Sequence, residues 1–96
     1  MEPIARLRAH RAEVLRLAQR YGAHDLRVFG SAERGEATPT SDLDLLVRME
    51  PHRTLFDLIG FEQELQDLLG CPVQVVSEGG LKPHVRDRIL DEAVPA

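Results

Sequence analysis

Hydrophobic positions along this chain switch between helical and strand spacing, and the switches mark out seven elements. Ile4, Leu7, Val14, Leu15 and Ala18 recur as one stripe, which predicts a helix opening near Pro3 and stopping at Gly22. Leu26-Arg27-Val28-Phe29 then reads as a strand, and Ser31 to Gly35 as a one-turn helix closed by glycine. Glu36-Ala37-Thr38-Pro39-Thr40-Ser41 is polar and contains proline, as expected of a returning loop. In Asp42-Leu43-Asp44-Leu45-Leu46-Val47, strand alternation sends Leu43, Leu45 and Val47 into the core and both aspartates to the opposite face. Helical spacing resumes through Leu55, Leu58, Ile59, Glu62, Leu65, Leu68 and Leu69, with Thr54 as a cap and Gly70 as a stop. Cys71-Pro72-Val73-Gln74-Val75-Val76 predicts a third strand, and Pro83 opens a last helix whose apolar face is Val85, Ile89 and Leu90.

The resulting order, α-β-α(short)-β-α-β-α, describes an α/β (α+β) chain with a small mixed sheet and helices packed on it. A helical crossover makes the third strand parallel to the second. With 96 residues there is room for one small domain, residues 1–96, able to bury roughly two thirds of its unfolded surface. Leu55, Phe56 and Phe61 fall on more than one side of their helix. Core packing is the expectation for them, and an exposed remainder would favour a protein partner or a homo-oligomer.

Two features carry chemistry. Gly30-Ser31 stands where a strand gives way to a helix, so the backbone there allows close approach of a ligand and free N–H groups face an anion. Taken alone it is a common turn dipeptide. Asp42 and Asp44 would lie roughly 6–7 Å apart on one strand face, where like charges repel unless a cation lies between them. Mg²⁺ favours a few carboxylates plus substrate phosphates, although a solvated edge strand would also carry such a pair. The two features meet in space only if the first two strands are antiparallel neighbours.

Gly30-Ser31, Arg34-Gly35 and Ser41-Asp42-Leu43-Asp44, followed by Leu45-Leu46-Val47, resemble the signature of the DNA polymerase β-type nucleotidyltransferase superfamily, and most closely its minimal (MNT-domain) branch. The resemblance spans nearly the whole chain and implies a nucleotidyltransferase fold. It implies that Gly30, Ser31, Arg34 and Ser41 bind the nucleotide, that Asp42 and Asp44 are the catalytic, metal-holding pair, and that Mg²⁺ and ATP are used. It further implies an antitoxin that transfers AMP to a tyrosine of a HEPN-domain toxin.

The chain departs from the pattern at one point. The family's third carboxylate would align with Gln74, which is neutral and cannot help hold a second metal or take a proton from an attacking hydroxyl. Glu78 shares its alternating face but would lie roughly 13 Å along an extended strand. Weakened catalysis, with the toxin neutralised by stoichiometric binding, is therefore the alternative reading.

The remaining composition narrows the setting. A net charge of −4 argues against general nucleic-acid binding. No apolar run approaches the roughly 20 residues of a membrane span and the arginine-rich start does not resemble a secretory signal, so a cytoplasmic protein without membrane contact is expected. Cys71, the lone cysteine, is expected to be a small buried apolar residue. His10, His24, His52 and His84 lack metal-ligand spacing and are expected on the surface. The arginines of the first helix read as a solvated face. Lys82, Arg86 and Arg88 read as solvated too, whereas Arg34, within the motif, is the strongest cation for a triphosphate.

Overall fold

The computed structural model describes residues 2–30 and 42–96. Its elements are α1 (Pro3–Ala9), α2 (Arg11–Tyr21), β1 (Ala23–Phe29), β2 (Leu43–Met49), α3 (Leu55–Leu69), β3 (Val73–Ser77), α4 (Pro83–Glu92) and β4 (Val94–Pro95), with a 3₁₀ turn at Glu78–Gly80. The strands form one sheet in the order β3-β2-β1-β4. As expected, β1 and β2 are antiparallel and β2 and β3 parallel. The short helix expected at Ser31–Gly35 lies outside the described residues.

Register sorts the sheet into two faces. Val28, Leu45 and Val75 stand in one row. Together with Leu43, Val47 and Val73 they pack against Leu7 of α1, Val14 and Ala18 of α2, and Phe61, Leu65 and Leu69 of α3. Complete burial of side chains such as Phe61 and Leu65 contributes roughly 1.5–3 kcal/mol each to folding. Cys71 is buried with this cluster, as its apolar character suggested. Tyr21 packs its ring against Gly60, with its centroid 6.3 Å from that of Phe61, so α2 and α3 meet closely.

Local signals for α3 hold: the Thr54 N–H donates to the Asp57 carboxylate at 2.9 Å, and the helix ends at Gly70. Polar side chains of α3 also protect the sheet. The Val73 and Val75 N–H groups on edge strand β3 donate to Gln66 Oε1 at 3.2 Å and Glu62 Oε2 at 2.8 Å, which stops that edge from pairing with another strand.

Three expectations need correction. The first helix is not continuous but breaks at His10 (φ −109°, ψ 22°). The bend lets Arg6 Nη1 reach the carbonyl of Gly70, at 3.0 Å, while α2 stays against α3 and β1. Arg6 and Arg11, which donates to the Ala96 carbonyl, are thus anchors rather than members of a purely solvated face. Secondly, Phe61 is fully buried, but Phe56 is 84% and Leu55 66% exposed, because the core stripe of α3 runs through Phe61, Leu65 and Leu69 and turns these two away. Finally, Glu78 does not continue β3; the chain turns into the 3₁₀ helix there.

Candidate nucleotide and metal site

The site is built where β1 ends and β2 begins. The Leu43 N–H donates to the Pro72 carbonyl at 2.9 Å, tying the entry of β2 to the approach of β3. Register then aligns Phe29, Asp44 and Gln74 in one row, on the face opposite Val28, Leu45 and Val75. Asp42 is exposed just before β2, and Asp44 is half-buried within it.

Gly30 completes the corner. Its φ of +77° lies where side chains are strained, and a Cβ there would collide with Asp44 Oδ2 and stand 3.3 Å from Asp44 Cγ. The backbone conformation favours glycine here, and any Cβ would push the Asp44 carboxylate aside. The turn and a carboxylate do meet, as the antiparallel pairing demanded. Ser31, Arg34 and Ser41 lie outside the described residues.

Gln74 is exposed and sits directly beside Asp44 in the parallel register, on a neighbouring strand about 4.8 Å away. Among the described residues, the oxygen-bearing side chains at this corner are the carboxylates of Asp42 and Asp44 and the amide of Gln74. Carboxylate and amide oxygens are hard ligands, the kind that Mg²⁺ takes together with phosphate oxygens and water. Among the described residues no group of three or more His, Cys, Asp or Glu side chains is arranged to hold a metal on its own.

Glu78, the next acid after Gln74, is engaged elsewhere. Its side chain, 14% exposed, accepts from Arg86 of α4 at 3.0 Å and from Arg27 of β1 at 3.4 Å. This clamp corrects the expectation that Arg86 is only solvated. Sequence reasoning had not singled out Arg27 and Phe29, although alternation along β1 places both on the face opposite Val28. Lys82 and Arg88 are exposed, as expected.

At the opposite end of β2, His24 and Arg53 hydrogen-bond the Glu50 carboxylate at 3.0 and 2.9 Å. The bond with His24, followed by that from Arg53, holds Glu50 below the usual carboxylate range. His10 likewise contacts Glu13, so these histidines meet surface carboxylates rather than gathering as metal ligands. The Tyr21 hydroxyl is raised above its ordinary value, chiefly by its hydrogen bond to Glu64.

Residues 7–95 match the family model described as Nucleotidyltransferase domain. The chain belongs to the nucleotidyltransferase family. It is 40% identical over 88 residues, 92% of this chain and 86% of the relative, to the protein adenylyltransferase MntA of Thermococcus cleftensis. A solved structure assigned to the minimal nucleotidyltransferases superposes with a TM-score of 0.86 at 50% identity, covering 100% of this chain and 97% of the other. A toxin-antitoxin crystal structure with AMP-PNP shares the fold, with a TM-score of 0.75 at 16% identity over 88% of this chain and 69% of that one. This nucleotidyltransferase is thus a transferase of the minimal type. No helix among the described residues is long and apolar enough to cross a membrane.

Proposed function

We propose that this nucleotidyltransferase uses Mg²⁺ and ATP to transfer AMP to a protein hydroxyl, a tyrosine of a HEPN-domain toxin, and so acts in the cytoplasm as the antitoxin of a toxin-antitoxin pair. The observation that carries this reading is the meeting of the left-handed Gly30 turn with the Asp44 carboxylate, which brings a backbone suited to phosphate against a side chain suited to a cation. The protein adenylyltransferase name of the Thermococcus relative and the AMP-PNP of the toxin-antitoxin structure support the same chemistry.

In this mechanism the Gly30-Ser31 turn, with Arg34 and Ser41, orients the triphosphate. Asp42 and Asp44 would hold Mg²⁺, which when bound neutralises phosphate charge. The acceptor hydroxyl attacks the α-phosphorus in line: a new P–O bond forms, the α–β bridging P–O bond breaks and pyrophosphate leaves. The proton of that hydroxyl passes to water or a phosphate oxygen, because position 74 offers an amide and not a carboxylate to receive it. One small domain offers little surface for recognising an acceptor, so an acceptor delivered by a bound protein suits it.

Gln74 beside Asp44 favours a second reading, in which transfer is weak and the toxin is neutralised by stoichiometric contact. Intact-mass analysis of a co-expressed HEPN-domain toxin, incubated with Mg²⁺ and ATP, separates the two. Under the first reading the toxin gains the mass of AMP with wild type and not with Asp42→Ala, which also fails to neutralise it. Under the second, no mass is gained and folded Asp42→Ala still neutralises.

A further inference from the structure

We infer that Gln74 leaves this site with one cation position in place of the two that a carboxylate there would support; the inference rests on the nucleotidyltransferase reading of Asp42 and Asp44. Two divalent cations at the roughly 3.5–4 Å spacing of a two-metal site repel strongly, and anionic ligands shared between them are what make the pair stable. Asp44 is the central residue of its row. Its neighbours in register are the hydrocarbon ring of Phe29 on β1 and the neutral amide of Gln74 on β3.

Two described carboxylates beside β3 are already engaged. Glu78, the next acid along the chain, is held between Arg27 and Arg86 and turned away by the 3₁₀ helix. Glu62 accepts the Val75 N–H and so caps the β3 edge. Releasing Glu78 would leave two guanidinium groups without that partner, and releasing Glu62 would uncover an edge N–H.

Gln74 can still take part in a neutral way. Its carbonyl oxygen can ligate a cation, or its NH₂ can donate to a phosphate oxygen. Either role suits a site in which Asp42 and Asp44 hold the one cation that arrives with the triphosphate. The acceptor hydroxyl then approaches without a second cation to acidify it.

Counting bound Mn²⁺ on the full chain by electron paramagnetic resonance, with saturating α,β-methylene-ATP as a nucleotide that cannot be cleaved at the α–β bond, tests this without reference to activity. Wild type is expected to hold one cation per chain with the nucleotide, and Gln74→Asp two, with the second bound at least ~10-fold more tightly than in wild type. Gln74→Glu provides a second carboxylate variant should Gln74→Asp fail to fold. Two tightly held cations in wild type, or one in both folded carboxylate variants, would overturn the inference while leaving the nucleotide site intact. Wild type that binds neither the analogue nor Mn²⁺ would overturn the reading of Asp42 and Asp44 itself.

Discussion

The two faces of this sheet answer to different demands within the same strands. On the face toward α2 and α3, the row Val28, Leu45 and Val75 is buried hydrocarbon, and its stability comes from packed volume. One residue along each strand, the row Phe29, Asp44 and Gln74 is half-buried or exposed, and its content is chemical. The second face is itself divided. Leu46, between Arg27 and Val76 in register, is fully buried, and beside it Glu78 joins Arg27 to Arg86. Packing constrains the inner row and the clamp constrains the row through Leu46, which leaves Phe29, Asp44 and Gln74 as the less buried row of the sheet.

Breaking the inner face has the largest expected effect. Phe61→Ala empties a fully buried position and is expected to cost about 3–5 kcal/mol in denaturant unfolding, whereas Phe56→Ala, five residues earlier on the same helix, should change stability by less than about 0.5 kcal/mol. Equal losses would contradict the division of α3 into a buried and an open side. Gly30→Ala comes next. Forcing a Cβ into the left-handed region and against Asp44 is expected to cost about 1–2 kcal/mol, lowering Tm by roughly 4–8 °C for each kcal/mol, and to weaken ATP-analogue binding by calorimetry. Retained binding with a lowered Tm would separate the turn's structural role from its proposed chemical one.

At the clamp, Glu78→Gln should cost about 1 kcal/mol, and a double-mutant cycle with Arg27→Met should show coupling of similar size. Additive effects would mean that the two side chains do not depend on one another. The smallest effect is expected at the far end of the sheet, where Glu50 is held below its usual carboxylate range by His24 and Arg53. A depressed folded value contributes stability that is fully present above the unfolded carboxylate value and is lost as pH falls through the folded one. Thermal melts from about pH 7 to about pH 3 should therefore show wild type losing stability on acidification more steeply than Glu50→Gln. Parallel profiles would remove Glu50 from the acid response.

How much of this was legible depends on the range of the interaction. Pro3, Gly22, Thr54, Gly70 and Pro83 marked helix boundaries because capping and backbone restriction act within a few residues. The break at His10 carried no such mark: Ala9-His10-Arg11 contains neither glycine nor proline, and the bend serves contacts with the distant end of α3. The β4 strand, two residues including Pro95, was too short to register as a pattern and exists only because β1 pairs with it. Glu78 looked like the continuation of β3 because alternation cannot sense a turn stabilised by Arg27, 51 residues earlier.

The sequence by itself determined the alternation that separates Asp44 from the core, the glycine at position 30, the succession β1, β2, α3, β3 and α4, and the amide at position 74. Those are properties of residue type and spacing, set over one or two turns of chain. Tertiary structure alone decided that Asp44 and Gln74 stand side by side, that a Cβ at Gly30 would strike the Asp44 carboxylate, and that Glu78 is committed to two arginines. Register and clamp both join segments whose separation is closed only when the whole core has packed, and no local preference records that closure.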